Sequence, residues 1–181
     1  MSAGTSPSEC TLRATTDMLT IRTAGPADAD SVAMLVRELA DYERMSSAAR
    51  ATAADFRREL ELPAPVVRVL LAEQGGELAA FALYFFNFST FVGRRGLYLE
   101  DLFVRPAFRR QGVGLALFAA LAREAEAHQC GRMEWAVLDW NEPAIRFYQS
   151  LGAEPLDEWR VFRLTPPAIA ALSARARRTP S

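Results

Sequence analysis

Apolar positions along this chain switch between a period of two and a period near 3.6, and the switches predict its elements. Leu19-Thr20-Ile21-Arg22 alternates and predicts a strand. Gly25-Pro26-Ala27-Asp28 is turn chemistry, with Asp28 or Asp30 as the N-cap of the next element. From Ser31 to about Tyr42, Val32, Leu35, Val36 and Leu39 recur at helical spacing. A second short helix is predicted over Ala53–Leu60, stopped by Pro63 and Pro65. Val66–Ala72 is a β-branched and apolar run, which Gly75-Gly76 turns into Glu77–Phe86 as a hairpin. Gly93 and Gly96 mark a further turn. Tyr98–Val104 is apolar on both faces apart from Glu100 and Asp101, the pattern of a central strand. A helix is predicted from about Gly112 to His128, with Val113, Leu117, Leu121 and Ala125 on one side and Gly131 past its end. Arg132–Leu138 reads as a strand. Asn141–Leu151 reads as a helix, with Asn141 as N-cap, Pro143 in the first turn and Gly152 just beyond. Trp159–Leu164 predicts a last strand and Pro166–Arg178 a terminal helix. The order β-α-α-β-β-β-α-β-α-β predicts an α/β (α+β) domain on a mixed sheet.

Composition narrows the class. The 181 residues are one domain's worth, half of them apolar and 24% charged, enough to bury a core. Residues 1–17 are Ser/Thr-rich and expected to be a disordered extension. The domain is expected over 18–173, and the basic 174–181 is expected to fray. A formal net charge of −1 supplies no global field for nucleic acid or an acidic membrane. Cys10 and Cys130 predict no structural disulfide, and no Cys/His cluster predicts a metal site. His128 is the sole histidine. No apolar run has membrane-spanning length and the first residues lack a signal-peptide core, so the expected setting is soluble and cytoplasmic.

The chemistry concentrates in Glu100–Leu115, EDLFVRPAFRRQGVGL. A strand ends at Val104 and Arg105-Pro106 turns the chain outward. Arg109, Arg110, Gln111, Gly112, Val113, Gly114 and Leu115 then lead into a helix. Two glycines here remove side chains where a helix begins, so unpaired backbone N–H groups and the positive end of the dipole face outward together. That is a site for a phosphate or pyrophosphate, with Arg109 and Arg110 as counter-charge. The plain alternative is a strand-to-helix turn with its arginines in water. A dinucleotide fingerprint wants a third small residue where Leu117 stands, and a P-loop wants Gly-Lys-Ser/Thr; neither is present.

Arg109-x-x-Gly112-x-Gly114 resembles the Arg/Gln-x-x-Gly-x-Gly/Ala signature of the GNAT superfamily of acetyltransferases. Trp140-Asn141-Glu142-Pro143-Ala144-Ile145-Arg146-Phe147-Tyr148, followed by Leu151-Gly152-Ala153, resembles that family's final signature helix. The likeness runs from about Leu19 to Leu164. It implies a mixed, mostly antiparallel central sheet with helices on both faces, acetyl-CoA as cosubstrate, no metal, and a homodimer. Glu38-Leu39-Ala40-Asp41-Tyr42-Glu43, Leu97–Val104 and the Trp-Asn-Glu-Pro stretch resemble the diamine (spermidine/spermine-type) group within it.

The resemblance also implies roles. Tyr148 stands where the family protonates the departing thiolate; the alternative is an aromatic packed beside Phe147. Glu100 is assigned to holding the substrate ammonium and helping remove its proton, because an ammonium has no lone pair with which to attack a thioester. Asp101 is the weaker candidate: adjacent strand residues face opposite ways, so alternation allows only one of the pair into a given cleft. Salt bridging to Arg94, Arg95 or Arg132 is the alternative for both. The backbone of Leu102, Phe103 and Val104 is assigned to pair with the pantetheine arm. The loop 109–115 is assigned to the pyrophosphate, and Asn141, Pro143 and Ala144 to further cofactor contacts. Tyr42, Glu43, Glu134, Trp135 and Ala136 join Glu100 and Asp101 as substrate-binding positions. Ser89 and Phe91 depart from the diamine group, which carries an acid and a tryptophan there, so a long polycation loses one of its negative partners. The overall expectation is direct acetyl transfer to a small primary amine. The alternatives are a protein amine as acceptor, or a CoA-binding sensor without turnover.

Overall fold

The structure, a computed structural model, describes residues 18–176. The expected extension 1–17, Cys10 within it, and residues 177–181 lie outside the described residues. The described chain falls into two compact units, one ending at Ala136 and the other starting at Val137.

The first unit holds strands β1 (Leu19–Thr23), β2 (Arg68–Gln74), β3 (Glu77–Ser89), β4 (Arg94–Val104) and β5 (Arg132–Trp135), and helices α1 (Ala29–Tyr42), α2 (Ala53–Leu60) and α3 (Val113–Ala127). The sheet runs in the order β1-β2-β3-β4-β5. Its first three pairings are antiparallel and the last, β4 with β5, is parallel. The predicted mixed, mostly antiparallel sheet is therefore present.

Helix α1 forms where its apolar stripe is regular: Val32, Leu35 and Leu39 are buried. They pack with Val69 and Leu71 of β2, Phe81 and Leu83 of β3 and Phe103 of β4. Each such side chain contributes roughly 1.5–3 kcal/mol on leaving water. Asp28 precedes α1, but its carboxylate bonds Arg22 and the Gly25 amide instead of capping the helix. Thr52 and Asp55, a pair that the apolar pattern does not reveal, form a capping box at the start of α2. Helix α3 buries Val113, Leu117, Phe118 and Leu121.

The second unit contains helices α4 (Glu142–Ser150) and α5 (Pro166–Ala176). Asn141 occupies the N-cap position of α4 without a side-chain capping bond, and Glu142 pairs with Arg146 one turn on at 3.2 Å. Gly152 sits at φ 86° just past the helix, where only glycine is unstrained. Trp159–Leu164 is not a strand, contrary to its composition. It forms no ladder among the described residues, and β propensity without a ladder leaves the backbone bonds unmade. Phe162 is 91% exposed. The strand predicted to reach Leu138 ends at Trp135. No helix among the described residues is long and apolar enough to cross a membrane.

Candidate active site

The register of β3 against β4 decides where the acids go. Phe85 pairs with Tyr98, Tyr84 with Leu99, and Leu83 with Asp101, so Glu100 is the extra residue of a β-bulge. Phe85 and Leu83 are two apart on β3 and share a face. Their partners Tyr98 and Asp101 are three apart on β4 and share it too. Glu100, two from Tyr98, falls on the same side. Strict alternation places Glu100 and Asp101 on opposite faces; the bulge overturns that and brings both to one face.

That face is the one α1 covers, because Leu83 and Phe103 both belong to the α1 core. Asp101 lies between them and is half-buried, while Glu100 is exposed. Burial pushes the Asp101 carboxyl up to about 6, and the nearby Glu100 and Glu43 charges push the same way. Glu43, at the C-cap of α1, is itself raised by burial. Tyr98 is raised by burial, with Glu100 and Glu134 adding to it. Three carboxyls, Glu43, Glu100 and Asp101, thus act on one another around the bulge, with Glu134 acting on Tyr98 and no arginine among the causes of these shifts. The salt bridges from Arg94, Arg95 or Arg132 considered for the β4 acids are not what holds them: Arg132 lies against Glu134, its Nε 3.0 Å from Oε2 by charge proximity rather than an aligned hydrogen bond.

The same segment leaves a strand edge open. The β4–β5 ladder runs from Gly96–Arg132 to Leu99–Trp135 and stops. Beyond it, Glu100 to Val104 have no partner strand on that side among the described residues, while β3 continues to pair Asp101 to Val104 on the other. Leu102–Val104 is where an extended amide-bearing chain can add as a strand. Trp135, at the last rung, sets its ring edge-on to Phe118 of α3, centroids 5.2 Å apart. Ala136 is exposed.

After β4 the chain turns through Pro106–Phe108 into the glycine loop. Arg110 and Gly112 take left-handed conformations, φ 60° and 83°, and Gly112 is the N-cap of α3. A Cβ on Gly112 would meet nothing within 4 Å, so the loop is open there. The residues after it open a helix whose first N–H groups lack intrahelical acceptors. Phosphate chemistry therefore fits the loop. Val113 is buried and anchors α3, whereas Arg110, Gln111 and Leu115 are exposed. Gln111 braces the loop from within, donating to the Ala107 carbonyl at 2.8 Å and accepting from Gln74 at 3.0 Å.

The two departures from the diamine pattern have structural occupations. Ser89 is buried, and its hydroxyl accepts from the Val92 amide to close the β3–β4 turn. Phe91 is 93% exposed. In the second unit, Tyr148 is half-buried on α4 with its ring centroid 5.6 Å from that of Phe147. Asn141 and Ala144 are half-buried and Pro143 is exposed. His128 caps α3, its Nδ1 2.9 Å from the Glu124 carbonyl and its ring against Phe86.

A mostly antiparallel sheet with one parallel edge strand, a bulge in β4 and a glycine loop at the start of α3 make up the scaffold of the site. Residues 33–153 match the Acetyltransferase (GNAT) family, and the chain belongs to it. It is an N-acetyltransferase by family, and that family uses acetyl-CoA. The chain is 34% identical over 166 residues to thialysine N-epsilon-acetyltransferase of Bos taurus, covering 86% of this chain and 97% of that one. It is 44% identical over 95 residues to L-ornithine N5-acetyltransferase of Arabidopsis thaliana, covering 52% of this chain and 42% of that one. Among solved structures, an integron cassette protein from the V. cholerae mobile metagenome superposes with a TM-score of 0.72 at 26% identity, covering 86% of this chain and 97% of that one.

Proposed function

We propose that the protein transfers an acetyl group from acetyl-CoA directly to the primary amine of a small, lysine- or ornithine-like molecule. One observation carries the acceptor side: the bulge that turns Glu100 and Asp101 to the same face as Glu43. An ammonium is attracted by such a cluster, and Asp101, at about 6, is ionised at neutral pH and basic enough to accept a proton. Glu100, exposed at the mouth, receives the cation and Tyr42 and Glu43 border it, with Glu134 on the β5 side.

Acetyl-CoA supplies the acyl group as a thioester. On this reading the Leu102–Val104 edge pairs with its amide arm and polarises the acyl carbonyl through a backbone N–H. The loop from Arg110 to Leu115 takes the pyrophosphate. Asn141, Pro143 and Ala144 add contacts at the start of α4. The deprotonated amine forms the new N–C bond as the C–S bond breaks, and Tyr148 gives its phenolic proton to the leaving sulfur. No metal enters this chemistry.

The acceptor class rests on two supports. The relatives named for thialysine and for ornithine are full-length and half-length matches respectively. Ser89, in place of the acid of the diamine group, is committed to a turn, so a long polyamine lacks its distal partner. The resemblance to the family carries a homodimer with it, which light scattering of the purified protein tests. The activity test is thiol release from acetyl-CoA across thialysine, ornithine, lysine, short diamines, spermidine and a peptide bearing a free N-terminus. Turnover is expected to favour the lysine-like amines and to fall at least about a hundredfold in kcat in Tyr148→Phe. Tight CoA binding with no release from any small amine would overturn the reading.

A further inference from the structure

Arg109 opens the glycine-loop signature, and charge alone groups it with Arg110 as a phosphate partner. The structure gives the two arginines different surroundings. The Arg109 guanidinium carbon lies 4.5 Å from the centroid of the Tyr42 ring and 5.8 Å from that of Phe103. Those two rings are themselves 6.3 Å apart and tilted by 50°. Its Nε donates to the Val104 carbonyl at 2.9 Å. One guanidinium therefore touches the last turn of α1, the last two residues of β4 and, through its own backbone, the loop before α3. Arg110 is exposed, with a left-handed backbone.

We propose that Arg109 is a positioning residue that couples the acceptor side of the site to the donor loop, leaving Arg110 as the loop's phosphate partner. This rests on the reading of Tyr42 and Glu43 as acceptor-side residues. Tyr42 is followed directly by Glu43, so fixing the ring fixes the carboxyl's point of attachment. Val104 ends the strand edge assigned to the donor, so fixing its carbonyl fixes that edge and the take-off of the loop. An acceptor that orders Tyr42 and Glu43 then also orders the loop, and by linkage the donor orders the acceptor side equally. The pin uses a planar guanidinium: two aromatic faces and a directed Nε–H, which an ammonium on a flexible stem does not reproduce.

The lysine variants separate pin from counter-charge. KM for acetyl-CoA and for the best amine is measured in wild type, Arg109→Lys, Arg109→Gln, Arg110→Lys and Arg110→Gln, with a thermal melt of each. Arg109→Lys is expected to be no better than Arg109→Gln, both raising the two KM values together by at least about tenfold, the size of one lost charge-assisted hydrogen bond alone. Arg110→Gln is expected to raise the acetyl-CoA value alone, and Arg110→Lys to recover most of it. If Arg109→Lys restores the acetyl-CoA KM, or the amine KM never moves, the pin is wrong. Should the Arg109 variants fail to fold, Tyr42→Leu supplies the second reading: it removes the ring beneath the guanidinium and is expected to raise the acetyl-CoA KM from outside the loop, and an unchanged value overturns the proposal. A wild type that acetylates no amine fails the functional reading instead, and calorimetric CoA affinities of the Arg109→Lys and Arg110→Lys proteins still decide the pin.

Discussion

Asp101→Asn separates what the site costs the fold from what it does for the reaction. The folded Asp101 carboxyl sits at about 6 against an ordinary 3.8. At about 1.4 kcal/mol per pH unit, that displacement corresponds to about 3 kcal/mol. The folded state holds the proton more tightly than the unfolded chain. Between pH 3.8 and about 6 it therefore binds more protons, and stability falls as pH rises through that window. Above the window the ionised carboxylate carries its full cost; below it the cost vanishes. The substituted amide would keep the shape and never ionise. Urea denaturation of wild type and Asp101→Asn at pH values from 4 to 8 is expected to show the variant more stable by up to about 3 kcal/mol near pH 7.5, with the difference closing toward pH 4. Acetylation is expected to move the other way. Wild-type kcat/KM should fall below about pH 6 as Asp101 protonates, and the variant should be slower with that limb absent. A stability difference that does not change with pH, or a variant less stable than wild type at pH 7.5, would refute the assignment of a destabilised carboxylate to this position.

Backbone geometry sets two further outcomes. Gly96→Ala would drive a Cβ into the Asn87 Oδ1 that packs over it, so a loss of about 1–2 kcal/mol in chemical denaturation is expected, largely relieved by adding Asn87→Ala. Gly112→Ala meets no atom within 4 Å but must hold φ 83°, so about 1 kcal/mol of strain is expected together with a raised acetyl-CoA KM and an unchanged amine KM. A Gly112→Ala protein with wild-type acetyl-CoA KM would argue against phosphate binding at the loop.

Much of this molecule is legible in local pattern. The α1 stripe of Val32, Leu35 and Leu39, the Gly75-Gly76 hairpin and the glycine-marked start of α3 each state their structure within a few residues, because the periodicity and turn chemistry that produce them are local. The glycine loop belongs to the same kind, since Gly112 at the N-cap and Gly114 in the first turn of α3 are chain neighbours of the helix start they mark. The acceptor side is different. Whether Glu100 and Asp101 oppose or join each other depends on one residue of register between β3 and β4, and nothing in EDLFV announces a bulge. Alternation alone ranks Asp101 below Glu100, although its burial beside Glu43 makes it the perturbed carboxyl. Charge alone makes Arg109 a phosphate partner, and only the packing of α1 against β4 reveals Tyr42 and Phe103 around it. Trp159–Leu164 shows the converse: a strand-like composition that forms no ladder among the described residues is not a strand. Elements and the glycine loop are set by interactions among near neighbours in the chain; the shared face of the acids and the engagement of Arg109 are set by contacts between segments far apart in the chain, such as Tyr42 with Arg109, which no local pattern encodes.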